Sequence, residues 1–151
     1  MRKSIIDKAG YFDEDRSLIA VEDFDMWLRI AKITNRFTLI SKSLGGYYMS
    51  PVNFSNEIKK CFERDVVVLE KYRNELTKRQ YLNVKALIHI IEGIRYLINN
   101  ERNLANKYFY VGLLSKSRFV DRIFAIAFII MGKNTLHFLK SYRMLQARLV
   151  R

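Results

Sequence analysis

The densest chemistry-bearing stretch is Val21-Glu22-Asp23-Phe24-Asp25-Met26-Trp27-Leu28-Arg29. Three carboxylates fall within four positions, and a Trp and an Arg follow on the next turn. Two readings follow from these residue types. In one, Asp23 caps a helix, Glu22 and Asp25 complement its dipole, and Trp27 packs into a core. In the other, one carboxylate stands at the edge of a cleft as a general base, and its neighbours hold orientation or tune its charge. Crowded carboxylates raise one another's pKa, which suits a base working near neutral pH. An intrachain disulfide, a Cys-cluster zinc site and a HExxH zinc site are excluded more simply. Cys61 stands alone, and His89 and His137 are too far apart for a HExxH pair.

The elements that must position the cluster can be read from periodicity. Ser4 to Ala9 forms a helical turn stopped by Gly10, and Tyr11 to Asp15 is a polar loop carrying two aromatics. Glu22 or Asp23 opens the next helix. Phe24, Trp27, Leu28 and Ala31 then recur at a 3.6-residue period and predict its apolar stripe. Phe37 to Ile40 and Leu44 to Met49 read as short strands, and Pro51 imposes an extended turn at Ser50. Helices follow over Asn56–Leu76, Lys78–Asn99 and Leu104–Ser115, with one or two pieces in Phe119–Arg151. Asn99-Asn100 and Ser115-Lys116-Ser117 mark the breaks. Gly93, Tyr96, Ala105 and Phe109 resemble one tetratricopeptide helix pair without a second period. Packing alone accounts for this middle part as a helical bundle.

Composition bounds the rest. Half of the 151 residues are hydrophobic, so a packed core is within reach. Lys and Arg number 27 against 15 Asp and Glu, a net charge of +12 that favours anionic partners. The excess is uneven: residues 116–151 hold eight basic side chains and one acid, whereas residues 1–55 hold eight and seven. The first residues lack the apolar core of a signal peptide. The longest apolar run, Ile123 to Met131, is nine residues against the roughly 20 that a spanning helix needs. Phe138, Tyr142, Leu145 and Leu149 space as an amphipathic helix, so 116–151 reads either as a buried helix followed by a solvated cationic one or as an anchor on an anionic membrane surface. No zinc-finger spacing, RNP signature or Gly-x-x-Gly loop supports a nucleic-acid partner.

Three motifs in register resemble the C-terminal part of the catalytic domain of family 2 glycosyltransferases, enzymes of GT-A fold that use nucleotide-sugar donors. They stand here as Gly10-Tyr11-Phe12-Asp13-Glu14, Glu22-Asp23-Phe24-Asp25-Met26-Trp27-Leu28-Arg29, and Tyr47-Tyr48-Met49-Ser50-Pro51-Val52-Asn53-Phe54-Ser55. The resemblance implies an inverting sugar transfer in which Asp23 takes the proton of an acceptor hydroxyl. Glu22 and Asp25 are then supporting acids, Trp27 a packing anchor and Arg29 an ion-pair partner. Asp13 and Glu14 lie on the loop beside the acceptor cleft. The sugar acceptor, free or lipid-linked, and the nucleotide-sugar donor are the implied partners, at the cytoplasmic face of a membrane.

The departures from the family pattern carry expectations of their own. Tyr48 and Ser50 stand where the family often has Arg and His, so this chain is expected to hold no metal itself. The family's nucleotide-binding half has no counterpart, so the divalent metal and donor site of the intact enzymes are implied to lie outside the chain. The resulting expectation is a mainly α (α+β) protein. Residues 1–55 are a remnant of a GT-A α/β domain with short strands, 56–115 a helical extension, and 116–151 basic amphipathic helices. It is a fragment inactive alone; the competing class is a non-catalytic helical interaction or membrane-adaptor module.

Overall fold

The computed structural model describes residues 2–38, 40–46, 58–115 and 119–137. Among them lie six α-helices: α1 (Lys3–Ala9), α2 (Glu22–Ile33), α3 (Ile58–Lys71), α4 (Lys78–Ile98), α5 (Arg102–Leu114) and α6 (Phe119–Met131). Single 3-10 turns occur at Arg16–Leu18 and Arg73–Glu75. No strand occurs among the described residues. The expected α/β remnant with short strands is therefore corrected to an all-α arrangement. Phe37 and its neighbours have strand-forming side chains, but local turn bonds take their backbone. The Arg36 N–H donates to Thr34 Oγ1 at 3.1 Å, and the Phe37 N–H to the Asn35 carbonyl at 3.0 Å. Short-range partners of this kind compete with a ladder. Leu39 and Tyr47–Met49, the rest of the expected strands, lie outside the described residues, as does the third motif.

The chain divides into two compact units, Met1–Lys71 and Tyr72–Arg151. In the first, α1 ends at Gly10, whose N–H donates to the Ile6 carbonyl at 2.8 Å. Asp15 caps the following 3-10 turn by accepting from the Ser17 N–H at 2.8 Å, which sinks Leu18 into the core beside α3. Among the described residues of this unit, Leu18, Met26, Ile30, Val68 and Leu69 are the buried apolar ones.

The expected stripe of α2 is inverted. Its buried residues are Asp25, Met26 and Ile30, whereas Phe24 and Trp27 are about half exposed. Charge neutralisation makes the burial of Asp25 tolerable, as the site below shows, and the helix turns accordingly.

In the second unit, Thr77 opens α4 with a capping box: its hydroxyl accepts from the Gln80 N–H while the Gln80 side chain accepts from the Thr77 N–H. Asn100 turns the chain into α5 through a left-handed φ of 66°, a conformation Asn tolerates. Gly93 lets the Phe109 ring approach α4 closely, because a Cβ there would lie 2.5 Å from it. The Phe109 and Phe128 rings stack with centroids 5.1 Å apart, joining α5 to α6. Basic side chains finish two helix ends. Lys133 Nζ donates to the Ile98 carbonyl at 2.9 Å, and Arg102 donates to Ile129 at 3.4 Å, satisfying C-terminal carbonyls of α4 and α6. No helix among the described residues is long and apolar enough to cross a membrane.

Candidate functional site

The motifs at Gly10–Glu14 and Glu22–Arg29 meet in the first unit through one ion network. The i, i+4 spacing of α2 puts Arg29 over Asp25. Arg29 Nε donates to Asp25 Oδ2 at 2.9 Å, and Asp25 has no solvent exposure. The same guanidinium reaches back to the first motif, where Nη1 donates to the Ala9 carbonyl and Nη2 to the Tyr11 carbonyl at 2.7 Å. Gly10 lies between those carbonyls with φ 80°, and a Cβ there would come within 3.0 Å of Arg29 Nη1. Glycine is therefore favoured twice at this position, by backbone conformation and by space.

Lys71, the last residue of α3, closes the network. Its Nζ lies 2.8 Å from Asp25 Oδ1 and 2.7 Å from Asp13 Oδ2. The Lys71 hydrogen bond, with a second from the Asp15 N–H, holds the Asp13 carboxyl below its usual value. Partial burial pulls the Lys71 ammonium down, but its bonds to Asp13 and Asp25 outweigh that and raise its pKa.

The other expected site residues stand outside this network. Asp23 is exposed on the first turn of α2, where its Oδ1 accepts from the Phe24 N–H at 2.7 Å. One such bond leaves a carboxylate with further lone pairs for other donors. Glu22 is half-buried, and its Oε2 is shielded from solvent with no hydrogen-bond partner among the described residues. Glu14 is exposed on the loop. Trp27 departs from its expected place as a packing anchor: it is 45% exposed and lines an open groove of about 1140 Å3 formed by α1, α2 and the segment after α2. Asp23 is not among the residues lining that groove.

Among the described residues, no group of three or more His, Cys, Asp or Glu side chains could hold a metal ion. Two positions of the network that the sequence did not point to are Lys71 and Gly10 in its place beside Arg29. Lys71 is 46 residues from Asp25 and belongs to no local pattern. No family model, curated protein or solved structure matches the chain.

Proposed function

We propose that this chain carries the acceptor side of an inverting glycosyltransferase of the family 2 type. Asp23 accepts the proton of an acceptor hydroxyl as that oxygen attacks the anomeric carbon of a nucleotide-sugar, and the nucleoside diphosphate departs with the electron pair of the broken bond. The donor site and any divalent metal would be supplied by residues outside this chain. What supports the reading is that Arg29, Asp25, Lys71 and Asp13 tie together the first two of the three motifs that carry the resemblance, while Asp23 stays open to solvent. The test is the DNA immediately upstream of Met1. Joined to the present residues in one frame, it is expected to encode a donor-binding half and to yield sugar transfer that Asp23→Asn abolishes. Upstream DNA without such a half, or undiminished transfer by the Asn variant, would refute the proposal.

A second reading concerns α6. Its buried side is Asp121, Ala125 and Phe128, whereas Phe119, Ile123, Ile126 and Ile130 form an exposed apolar stripe, the first at 76%. Only one acid, the buried Asp121, accompanies eight basic side chains in residues 116–151. This pairing favours contact with an anionic membrane surface, the helix lying in its plane. Binding to phosphatidylserine vesicles that falls with salt is expected. Equal binding to neutral phosphatidylcholine vesicles would exclude it.

A further inference from the structure

The chemistry lining the groove of the first unit is one-sided. Arg2 flanks it at the start of α1, Lys8 from within α1, Lys32 from the last turn of α2 and Arg36 from the segment beyond, and among the described residues not one Asp or Glu lines it. Among the described residues, no carboxylate pairs with Arg2, Lys8 or Arg36. Arg29 and Lys71 of the same unit are, by contrast, held by acids. Trp27 and Phe37 line the groove at 45% and 56% exposure, and Asn35 adds an amide beside them.

Cations, aromatic faces and an amide together fit an anionic ligand with a flat, partly apolar ring and hydroxyl groups. The charge distribution decides its size. Residues 1–71 hold 12 Lys and Arg against 11 Asp and Glu, whereas residues 72–151 hold 15 against 4. A long polyanion binds through summed charge and would favour the latter unit. The groove instead concentrates its cations locally on a nearly neutral unit. Its volume of about 1140 Å3 exceeds the roughly 300–1,000 Å3 of a single drug-sized site, which suits several linked rings.

We propose that this groove binds an acidic saccharide, a short glycan carrying carboxylate or phosphate groups. The C–H faces of its rings pack on Trp27 and Phe37, and Arg2, Lys8 and Arg36 pair with its acid groups. The proposal rests on the groove alone and not on the glycosyltransferase reading.

Trp27 is the chain's single tryptophan, so its emission reports on the groove directly. The full chain is titrated with trigalacturonate, with a hexose 6-phosphate, with neutral maltotriose and with a short oligothymidylate. A saturable change is expected with at least one acidic sugar, about tenfold tighter than with maltotriose. The stronger of the two identifies the acid group. Lys8→Gln combined with Arg36→Gln alters only exposed side chains and is expected to weaken that binding about tenfold, leaving the thermal transition in place. No saturable change, maltotriose binding as tightly, an undiminished double variant, or oligothymidylate binding tighter than both acidic sugars would overturn the proposal. The titration reads binding alone, so failure of the transfer reading leaves this proposal standing, and failure of this proposal leaves that reading standing.

Discussion

Replacing Arg29 with Met tests whether the network holds the first unit together. Methionine keeps an unbranched apolar stem of similar reach but removes the guanidinium. Asp25, without solvent exposure, would lose the Arg29 cation, and the carbonyls of Ala9 and Tyr11 would lose the donors Arg29 gives them. Breaking a buried ion pair from one side costs about 3–5 kcal/mol. Lys71 remains on the other oxygen, so about 3 kcal/mol is the fitting end of that range. A unit of this size holds only about 4–10 kcal/mol in total, so the variant should sit near its unfolding margin. At about 4–8 °C per kcal/mol, the transition should fall by roughly 12–24 °C. Trp27 fluorescence follows this unit, since no other tryptophan contributes. Arg29→Lys restores the charge, but one ammonium cannot serve Asp25 and two separate carbonyls together, and most of the loss should persist. A fall below about 4 °C for Arg29→Met would refute the reasoning, because it would put the pair in the range of exposed salt bridges.

The Asp13–Lys71 contact fixes a pH window. Asp13 is lowered from 3.8, so its contribution is present above that value and disappears as pH falls through the lower folded-state pKa. Lys71 is raised from 10.5, so its contribution is full below that value and is lost as pH climbs through the higher folded-state pKa. Trp27-monitored melts should therefore show Asp13→Asn lowering the transition at pH 7 and converging with the parent in strong acid. In the joined enzyme, Asp23→Asn should remove transfer with the transition unmoved, whereas Asp25→Asn should lower both. Gly93→Ala sets a Cβ 2.5 Å from the Phe109 ring and should destabilise the second unit by about 1–3 kcal/mol in ellipticity melts, despite the better helix propensity of Ala. Thr77→Ala removes the α4 capping box and should cost about 1 kcal/mol by the same measurement.

Where neighbours in sequence decide, the fold was legible. Gly10 ends α1, Asn99-Asn100 ends α4, and the α4 and α5 boundaries fall within a few residues of those read from periodicity. Gly93, Ala105 and Phe109, singled out by spacing, do form the crossing of α4 with α5. Legibility failed where distant partners decide. The aromatic period of α2 pointed to a core stripe, yet the buried positions are Asp25, Met26 and Ile30, because Lys71 and Arg29 neutralise the aspartate. The strand-like residues near Phe37 had the composition of a sheet but found turn partners two residues away. For the same reason the acid crowd could not be sorted in advance. Its members differ in which cation reaches them, and the key cation arrives from the far end of α3.

That sorting bears on which carboxylate can act. A general base must meet its substrate's proton at hydrogen-bond distance and must hold its own proton without collapsing its surroundings. Asp25 meets neither demand: it has no solvent exposure, and protonating it would strand Arg29 and Lys71, both drawn in by its charge. Asp13 is pinned by Lys71 and held in its ionised form, which makes it a weaker proton acceptor. Asp23 carries one backbone hydrogen bond and faces solvent from the positive end of α2. Within the proposed reaction the division of labour follows from these environments. Asp25 is the electrostatic anchor that positions α2 against the first motif, and Asp23, two residues away, is the side chain left accessible to an acceptor hydroxyl. Shortening the pair to a single aspartate would force one carboxylate to be buried and reachable at once, so the Asp-x-Asp spacing lets one carboxylate anchor the helix and leaves the other exposed.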